Sequence, residues 1–329
     1  MAIPVPVPQI LLDFIREGGK FLIVGHKEPD GDCVGSQLAL TSVLQRLGKE
    51  AVPCSAGPFK RTEVMPYENR FVSAPGEKER EGARVILLDC SSSSRAGDLA
   101  DCLKGLPLAI VDHHVAGQDP AEAAHSLVYL DAQAPSVTFM TLGIIEALGL
   151  QPTREEAELL LFGLCTDTGF FRHVDSRGAE TFEYAARLIR AGASPKEAFH
   201  AINGGKTLAS RKLLGIQLFR SEAYFGGKFI LTSEKYEETQ QFGLEGRDSD
   251  NLYQLLQSIN GVDAVAIIRQ ETPEKCTLGF RSRDKIDVAR IALRFGGGGH
   301  KNAAGANIAG TIEELQPRVL AAFEEVFGK

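Results

Sequence analysis

The chain has 329 residues, of which 43% are hydrophobic and 24% are charged, and its formal net charge is −7 at pH 7. This length suits two domains, and the composition is that of a soluble globular protein. The negative charge argues against a protein that grips long nucleic acid through many phosphates. Any bound polyanion should therefore be short and should meet a local cluster of positive charge.

The sequence also predicts a location in the reducing cytoplasm. No apolar run reaches the roughly 18 residues of a membrane span. The proline-broken start MAIPVPVPQILLDF lacks the basic region of a signal peptide. The six cysteines show neither CxxC pairing nor the spacing of a disulfide framework, so we expect free thiols.

The first half of the chain alternates predicted strands and helices. Short apolar runs favour strands at KFLIVGH (20–26), AVPC (51–54), RVILLDC (84–90), PLAIVDHH (107–114) and SLVYLD (126–131). Helical patterns occupy 33–48, 134–149, 153–165 and 177–192, and Ser194 is placed to cap a further helix. Strands that alternate with helices in this way predict a doubly wound, mainly parallel α/β sheet.

The last third of the chain has a different pattern. SEAYFGGKFILTS (221–233) predicts a hairpin, and strands are predicted at 263–269 and 275–281. A helix at 286–295, the run GGGGH and a final helix at 311–327 follow. We predict a first domain at 1–190, a helical linker at 191–218 and a smaller α/β domain at 219–329, with the active site in the cleft between the domains.

Titratable side chains stand at the ends of the predicted strands and of one helix. They are His26, Asp30 and Asp32 in HKEPDGD, Asp89 after RVILL, Asp112, His113 and His114 after PLAIV, and Asp167 in TDTG. The carboxyl ends of parallel strands meet at one edge of a sheet, where ligands bind. So many carboxylates in one small site repel each other unless cations join them, because desolvated like charges raise each other's pKa.

The donor types indicate which cations these are. Aspartate and histidine together suit two divalent ions in octahedral geometry, with Mn²⁺ first and Mg²⁺ or Co²⁺ as alternatives. Zinc is less favoured, because it prefers tetrahedral sites and no usual Cys/His spacing is present. Taken singly, HxxxDxD could be a polar loop, a strand-terminal Asp a helix N-cap, and TDTG a turn. All these segments are predicted to end at the same edge of the sheet, and this shared position favours a metal-binding site.

These four motifs, in this order, resemble those of the DHH phosphoesterase superfamily. That superfamily contains RecJ exonucleases, family II inorganic pyrophosphatases and short-oligonucleotide nucleases, and the resemblance covers about residues 20–170. It implies one metal held by His26, Asp30 and Asp89, and a second held by Asp32, Asp89, His113 and Asp167. It also implies that Asp112 orients His113 and that His114 faces the substrate phosphate, so Asp112 and His114 are the predicted catalytic pair.

The segment TLGFRSRDKIDVARIALRFGGGGHKNAAGA (277–306) predicts an anion site. Between 281 and 301 it has six Lys or Arg and two Asp, on a chain that is negative overall. Successive glycines can take positive φ and turn their N–H groups inward as an anion-binding nest. A flexible linker is the ordinary alternative for four glycines. The predicted phosphate-binding residues are Arg281, Gly297, Gly298, Gly299 and His300.

The same segment resembles the DHH-associated domain of the nanoRNase/pAp-phosphatase branch. RecJ proteins are normally longer and lack the leading histidine of the first motif, and family II pyrophosphatases lack GGGGH. The resemblance implies hydrolysis of di- to pentanucleotide RNA to mononucleotides, and of 3′-phosphoadenosine 5′-phosphate (pAp) to AMP, by water that two metals activate. It implies a homodimer, and neither long duplex nucleic acid nor a membrane as a partner.

The sequence is compatible with three other functions. The scaffold also suits a cyclic-dinucleotide or linear pApA phosphodiesterase. A pyrophosphatase is disfavoured by GGGGH. A nucleotide sensor without catalysis is disfavoured because none of the expected ligands is missing from the chain.

Overall fold

The computed structural model describes residues 6–114, 120–174, 176, 178–283 and 285–328. Contacts divide the chain into two compact units, Met1–Gly205 and Lys206–Lys329. Each unit has its own hydrophobic core. The division lies inside the segment predicted as a helical linker. Among the described residues, every helix is too short or too polar to cross a membrane.

The first unit alternates helices and strands as predicted. In chain order its described elements are α1 (Gln9–Glu17), β1 (Lys20–Val24), α2 (Gly31–Arg46), β2 (Glu50–Cys54), α3 (Glu77–Arg80), β3 (Arg84–Leu88), α4 (Ala100–Leu103), β4 (Leu108–Asp112), α5 (Pro120–Ala123), β5 (Leu127–Leu130), α6 (Val137–Ala147), α7 (Arg154–Asp167), α8 (Ala179–Arg190) and α9 (Pro195–Asn203). Ser194 caps α9, since its side chain accepts a hydrogen bond from Glu197 N.

The strands of this unit form a five-stranded sheet in the order β2-β1-β3-β4-β5. Every neighbouring pair is parallel, which confirms the predicted α/β class. In this order the direction of the strand crossovers changes between β1 and β3. Ligands of such sheets bind beyond the carboxyl ends of the strands at that point.

Two glycines let α7 pack closely against α2. A Cβ atom added at Gly35 would lie 2.5 Å from the carbonyl oxygen of Leu159. One added at Gly163 would lie 2.9 Å from the carbonyl oxygen of Gly31 and 3.0 Å from Cα of Asp32. Because no side chain separates them, α7 lies directly against the first turn of α2, which carries Asp32.

The second unit is built on a mixed sheet. Its described elements are α10 (Leu208–Arg220), β6 (Glu222–Tyr224), β7 (Phe229–Glu234), α11 (Tyr236–Phe242), α12 (Ser249–Gln257), β8 (Ala264–Thr272), β9 (Lys275–Ser282), α13 (Val288–Leu293), β10 (Gly298–His300), β11 (Ala303–Ala309) and α14 (Ile312–Phe327). The strand order is β10-β11-β9-β8-β7-β6. The predicted hairpin is β6 and β7, which pair antiparallel.

The glycine run differs from the predicted nest. Gly298 and Gly299 belong to β10, which pairs antiparallel with β11. In the run, only Gly296 (φ 73°) and Gly299 (φ 141°) have positive φ. The cause is a close backbone approach: an added Cβ at Gly297 would lie 2.1 Å from the carbonyl oxygen of Gly305. These glycines therefore let two strands pack tightly, and the run is neither a linker nor a continuous nest.

Candidate metal and phosphate site

Two of the predicted ligands lie where β1 leads into α2. Asp30 is the N-cap of α2, and its Oδ1 accepts a hydrogen bond from Cys33 N at 3.1 Å. Asp32 lies in the first turn of the same helix and is buried. Both carboxylates therefore lie at the N-terminal end of α2, but their neighbours differ.

Asp89 lies at the centre of the site. It follows β3, is 2% exposed, and has a φ of 56°, in the left-handed region that Asp tolerates better than most residues. Its Oδ2 lies 3.4 Å from His26 Nε2. Its Oδ1 lies 3.8 Å from His113 Nε2 and 3.4 Å from His114 Nδ1. One buried carboxylate therefore meets all three imidazoles that the sequence singled out.

Asp32 and Asp167 lie on the His113 side of this carboxylate. His113 Nε2 is 3.4 Å from Asp167 Oδ2, at the last residue of α7. Ligand atoms of Asp32, His113 and Asp167 lie within 4.8 Å of one another. Asp32 also accepts hydrogen bonds from Thr138 N at 2.8 Å and Thr138 Oγ1 at 2.7 Å, so it joins α2 to the start of α6.

Asp30 lies on the opposite side, near His26. Its Oδ1 is 3.9 Å from His26 Nε2. Cys33 is also in this group, since its Sγ lies within 4.8 Å of ligand atoms of both His26 and Asp89. The sequence predicted Cys33 only as one of six free thiols. Its place directly after DGD, one helical position beyond a predicted ligand, was the available signal.

Backbone carbonyls set the orientation of two histidines. His26 Nδ1 lies 2.8 Å from the carbonyl oxygen of Lys27, and His113 Nδ1 lies 3.0 Å from that of Ala134. A carbonyl oxygen only accepts hydrogen bonds, so each Nδ1 carries the proton and donates it. Nε2 is therefore the ring nitrogen of each histidine that faces the carboxylates, as in metal-binding histidines.

Asp112 contacts a different histidine from the one that the family resemblance implied. Its Oδ1 lies 2.9 Å from His114 Nδ1 and accepts hydrogen bonds from the backbone N of His113 and of His114 at 2.7 and 3.0 Å. The His113 ring is held by Ala134 instead. Burial opposes ionisation of Asp112, but the hydrogen bonds from His114 and from the backbone lower its pKa. Asp112 therefore orients His114.

The electrostatics of the cluster fit a cation. Burial, and then the charge of Asp32, raise the pKa of Asp167 to about 7. Burial likewise raises the pKa of Asp32 and of Asp89. Asp89 Oδ1 and His113 Nε2 are buried without a hydrogen-bond partner among the described residues. Unpaired buried oxygen and nitrogen donors among repelling carboxylates are what divalent cations satisfy. The chain therefore has a candidate metal-binding site here.

Three of the predicted phosphate-binding residues, Arg281, Gly298 and His300, lie on one face of the second sheet, whereas Gly299 pairs with Ala304 on the other face. Arg281 pairs with Ala303, and Ala303 pairs with His300, so the three lie in one row on one face of the sheet. His300 is exposed and Arg281 is half-buried. Gly279, Gly305 and Gly298 form a parallel row two residues away on the same face. The sequence interpretation missed Gly279 and Gly305, because they are adjacent only through strand pairing.

Tyr253 of α12 supports this row. The Arg281 guanidinium lies 4.6 Å from the centre of the Tyr253 ring, a cation–π contact. An added Cβ at Gly279 would lie 2.1 Å from the Tyr253 hydroxyl, so only glycine leaves room for that side chain. The Tyr253 ring therefore holds the Arg281 guanidinium.

Comparison with known proteins identifies the family. The N-terminal domain model of the DHH family matches residues 20–164, and the DHHA1 domain model matches residues 227–329. The chain is 32% identical to the bifunctional oligoribonuclease and PAP phosphatase NrnA of Thermus thermophilus, over 93% of this chain and 90% of that protein. The chain belongs to the DHH phosphoesterase family, in the branch that combines DHH and DHHA1 domains and includes NrnA.

Further relatives match nearly the whole chain. NrnA of Bacillus subtilis is 28% identical over 91% of this chain and 92% of its own length. The cyclic-di-AMP phosphodiesterase GdpP of Geobacillus thermodenitrificans is 26% identical over 98% of this chain and 50% of its own length. An exopolyphosphatase-related protein of Bacteroides fragilis has the same fold, with a TM-score of 0.81, 23% identity and 98% coverage of both chains.

Proposed function

We propose that this protein is a metal-dependent hydrolase that cleaves very short RNA oligonucleotides to mononucleotides and dephosphorylates pAp to AMP. The observation that carries the proposal is the surrounding of Asp89, a buried carboxylate that meets three imidazoles and keeps one oxygen unpaired. The similarity to NrnA over nearly the whole chain supports the substrate class.

Two divalent ions, Mn²⁺ first and Mg²⁺ or Co²⁺ as alternatives, are part of this proposal. The site residues form two groups around Asp89: His26 and Asp30 on one side, and Asp32, His113 and Asp167 on the other. When bound, such ions lower the pKa of a water nucleophile and neutralise the phosphate oxygens. The oxygen and imidazole donors suit Mn²⁺.

His114 is proposed to act on the phosphate. Its side chain is 46% exposed, and its Nδ1 faces Asp112, so its Nε2 is the nitrogen left for substrate. The hydrogen bond with Asp112 raises the pKa of His114, although burial of the ring opposes this effect. A protonated ring can stabilise charge that develops on phosphoryl oxygens or on the leaving oxygen.

The second unit is proposed to hold a further phosphate of the substrate. Arg281 supplies positive charge and donors, and His300 supplies a ring N–H donor, on either side of the small Ala303. Gly298, on the same face, has open space where a side chain would be, so the strand backbone is accessible there. Arg281 and His300 suit a terminal phosphate of a short substrate such as pAp or a dinucleotide. The chain's net charge of −7 disfavours long strands.

A cyclic-dinucleotide or linear pApA phosphodiesterase is the second candidate. The similarity to GdpP over 98% of this chain favours it, although the chain covers only half of that protein. The cytoplasmic location and the homodimer stay predictions. All six cysteines are free thiols, which supports a reducing compartment.

The test compares substrates on one enzyme. The metal-free full chain is given a 5′-labelled RNA dinucleotide, a long RNA strand, pAp and cyclic di-AMP, each with Mn²⁺ and with EDTA. We expect rapid Mn²⁺-dependent cleavage of the dinucleotide and release of AMP from pAp, with the long strand largely intact. Asp89→Asn should abolish both activities. Preferential cleavage of cyclic di-AMP would replace this proposal by the second candidate.

A further inference from the structure

We propose that the thiol of Cys33 is a sulfur ligand in the His26 half of the metal centre, and that it gives this half a preference for thiophilic cations such as Zn²⁺, Cd²⁺ and Co²⁺. The inference rests on the metal centre of the proposed function. It adds a donor that the aspartate and histidine motifs do not contain, and it makes the two halves of the centre chemically different.

The geometry brings three donors of different kinds together. Cys33 Sγ, a nitrogen of His26 and an oxygen of Asp89 lie within 4.8 Å of one another. The His26 nitrogen that faces the cluster is Nε2, because Nδ1 is engaged with the Lys27 carbonyl. Small shifts of side chains about a cation of ordinary bond lengths would bring all three into contact with it.

The surroundings favour an ion over empty space. Asp89 is 2% exposed, and its Oδ2, which lies 3.4 Å from His26 Nε2, belongs to a buried carboxylate that a cation would stabilise. Cys33 is fully buried in the first turn of α2, and its Sγ lies 3.4 Å from Gln37 Oε1. On coordination the thiol proton leaves to solvent and the metal–sulfur bond takes its place.

The other half of the centre lacks sulfur. Asp32, His113 and Asp167 offer only oxygen and nitrogen atoms. Thiolate ligands select softer ions, whereas carboxylates suit Mn²⁺ and Mg²⁺. We therefore expect Zn²⁺, Cd²⁺ or Co²⁺ to bind the Cys33 half first. The affinity of Mn²⁺ should differ much less between the two halves.

The test uses Co²⁺ as a spectroscopic probe without substrate. Metal-stripped full chain is titrated with Co²⁺, and we expect a near-ultraviolet sulfur-to-cobalt charge-transfer band. Cys33→Ala should abolish the band and raise the Zn²⁺ dissociation constant by at least about tenfold. The Mn²⁺ dissociation constant should change by no more than about twofold. Cys33→Ser, which preserves the side-chain size, should also lose the band. It provides the test if the alanine variant folds poorly.

Two other cysteines serve as controls. Cys90 follows Asp89 and is buried, and Cys276 is buried in the second unit; neither forms part of the His26 group. Cys90→Ala and Cys276→Ala should both keep the band. A band that survives in Cys33→Ala, or disappears in Cys90→Ala alone, overturns the proposal. Absence of the band from the unmodified chain, with Mn²⁺-dependent hydrolysis intact, overturns it and leaves the proposed function standing.

Discussion

At the scale of single residues, one side chain serves several purposes at this site. Asp30 caps α2 and also faces His26. Asp32 binds the start of α6 and lies beside His113 and Asp167. A polar loop was the alternative interpretation of the segment that holds both aspartates, and in the structure this segment begins a helix with Asp30 as its N-cap. A carboxylate has two oxygens and several lone pairs, so it can accept backbone N–H groups while keeping capacity for a cation.

Asp112 provides the first prediction. Asp112→Asn replaces an acceptor-only carboxylate with an amide, so the His114 ring loses the partner that determines its tautomer and charge. We expect kcat for the dinucleotide to fall by about 10²–10⁴-fold, while the Mn²⁺ dissociation constant stays within a factor of a few. Steady-state kinetics and a Mn²⁺ titration check this, with the exposed Asp98→Asn as the control. A large loss of Mn²⁺ affinity would instead place Asp112 among the metal ligands.

At the scale of secondary structure, contacts between elements decide where the ligands meet. α7 delivers Asp167 from its last residue, and the glycines between α7 and α2 determine how close that residue comes to Asp32. In the second unit, strand pairing brings Arg281 and His300 into one row although 18 residues separate them. In both units the important neighbours are distant in sequence.

Gly163 tests the packing of α7 on α2. Gly163→Ala would place a methyl group 2.9 Å from the Gly31 carbonyl oxygen and 2.5 Å from Thr138 Cγ2. We expect the free energy of unfolding to fall by about 1–3 kcal/mol and Mn²⁺ affinity to fall with it, as Asp167 moves away from Asp32. Gly215→Ala, on open space in α10, is the matched control and should stabilise the protein by about 0.5–1 kcal/mol. Urea denaturation measures both, and equal effects would refute this account of the helix contact.

Tyr253 tests the support of Arg281. Tyr253→Leu removes the aromatic face under the guanidinium, so we expect KM for the dinucleotide to rise about three- to tenfold with kcat nearly unchanged. Tyr253→Phe keeps the ring and should behave like the unmodified enzyme. If the phenylalanine variant is as impaired as the leucine variant, the hydroxyl rather than the ring is the important group.

At the scale of the whole molecule, the clustered carboxylates of the metal site destabilise the folded chain when no cation is bound. Several carboxylates with raised pKa values lie together in the core of the first unit, and bringing them there costs free energy of folding. A cation that binds only the folded chain offsets part of that destabilisation. Metal binding and stability should therefore be linked.

The fourth prediction follows from this linkage. Mn²⁺ at about 100 times its dissociation constant should stabilise the chain by about 2.7 kcal/mol and raise its melting temperature. EDTA should reverse the effect, and His113→Asn should reduce it because one facing nitrogen donor is lost. Scanning calorimetry with and without Mn²⁺ measures the shift. An identical melting temperature in both conditions would show that these residues do not form a metal site.

The order of the motifs along the chain was enough to predict the α/β sheet, the edge at which the site lies and the set of aspartates and histidines that meet there. That prediction succeeded because strand periodicity and the parallel arrangement constrain where strand ends go. The partner of each ring could not be obtained in the same way. Asp112 holds His114, whereas His113 is held by the carbonyl of Ala134, 21 residues away. Local sequence does not encode which side of a turn each neighbour faces.

The glycine run and Cys33 show the same limit. GGGGH was expected to form a nest, yet part of it is a strand, because its conformation follows from close pairing with β11 rather than from glycine's own freedom. Cys33 lies beside His26 and Asp89 because β1, α2 and the residue after β3 pack together. Residue types and their order therefore determined the chemistry of this protein. Packing between distant segments decided which atoms face one another, because hydrogen bonding and coordination depend on distances that no local pattern contains.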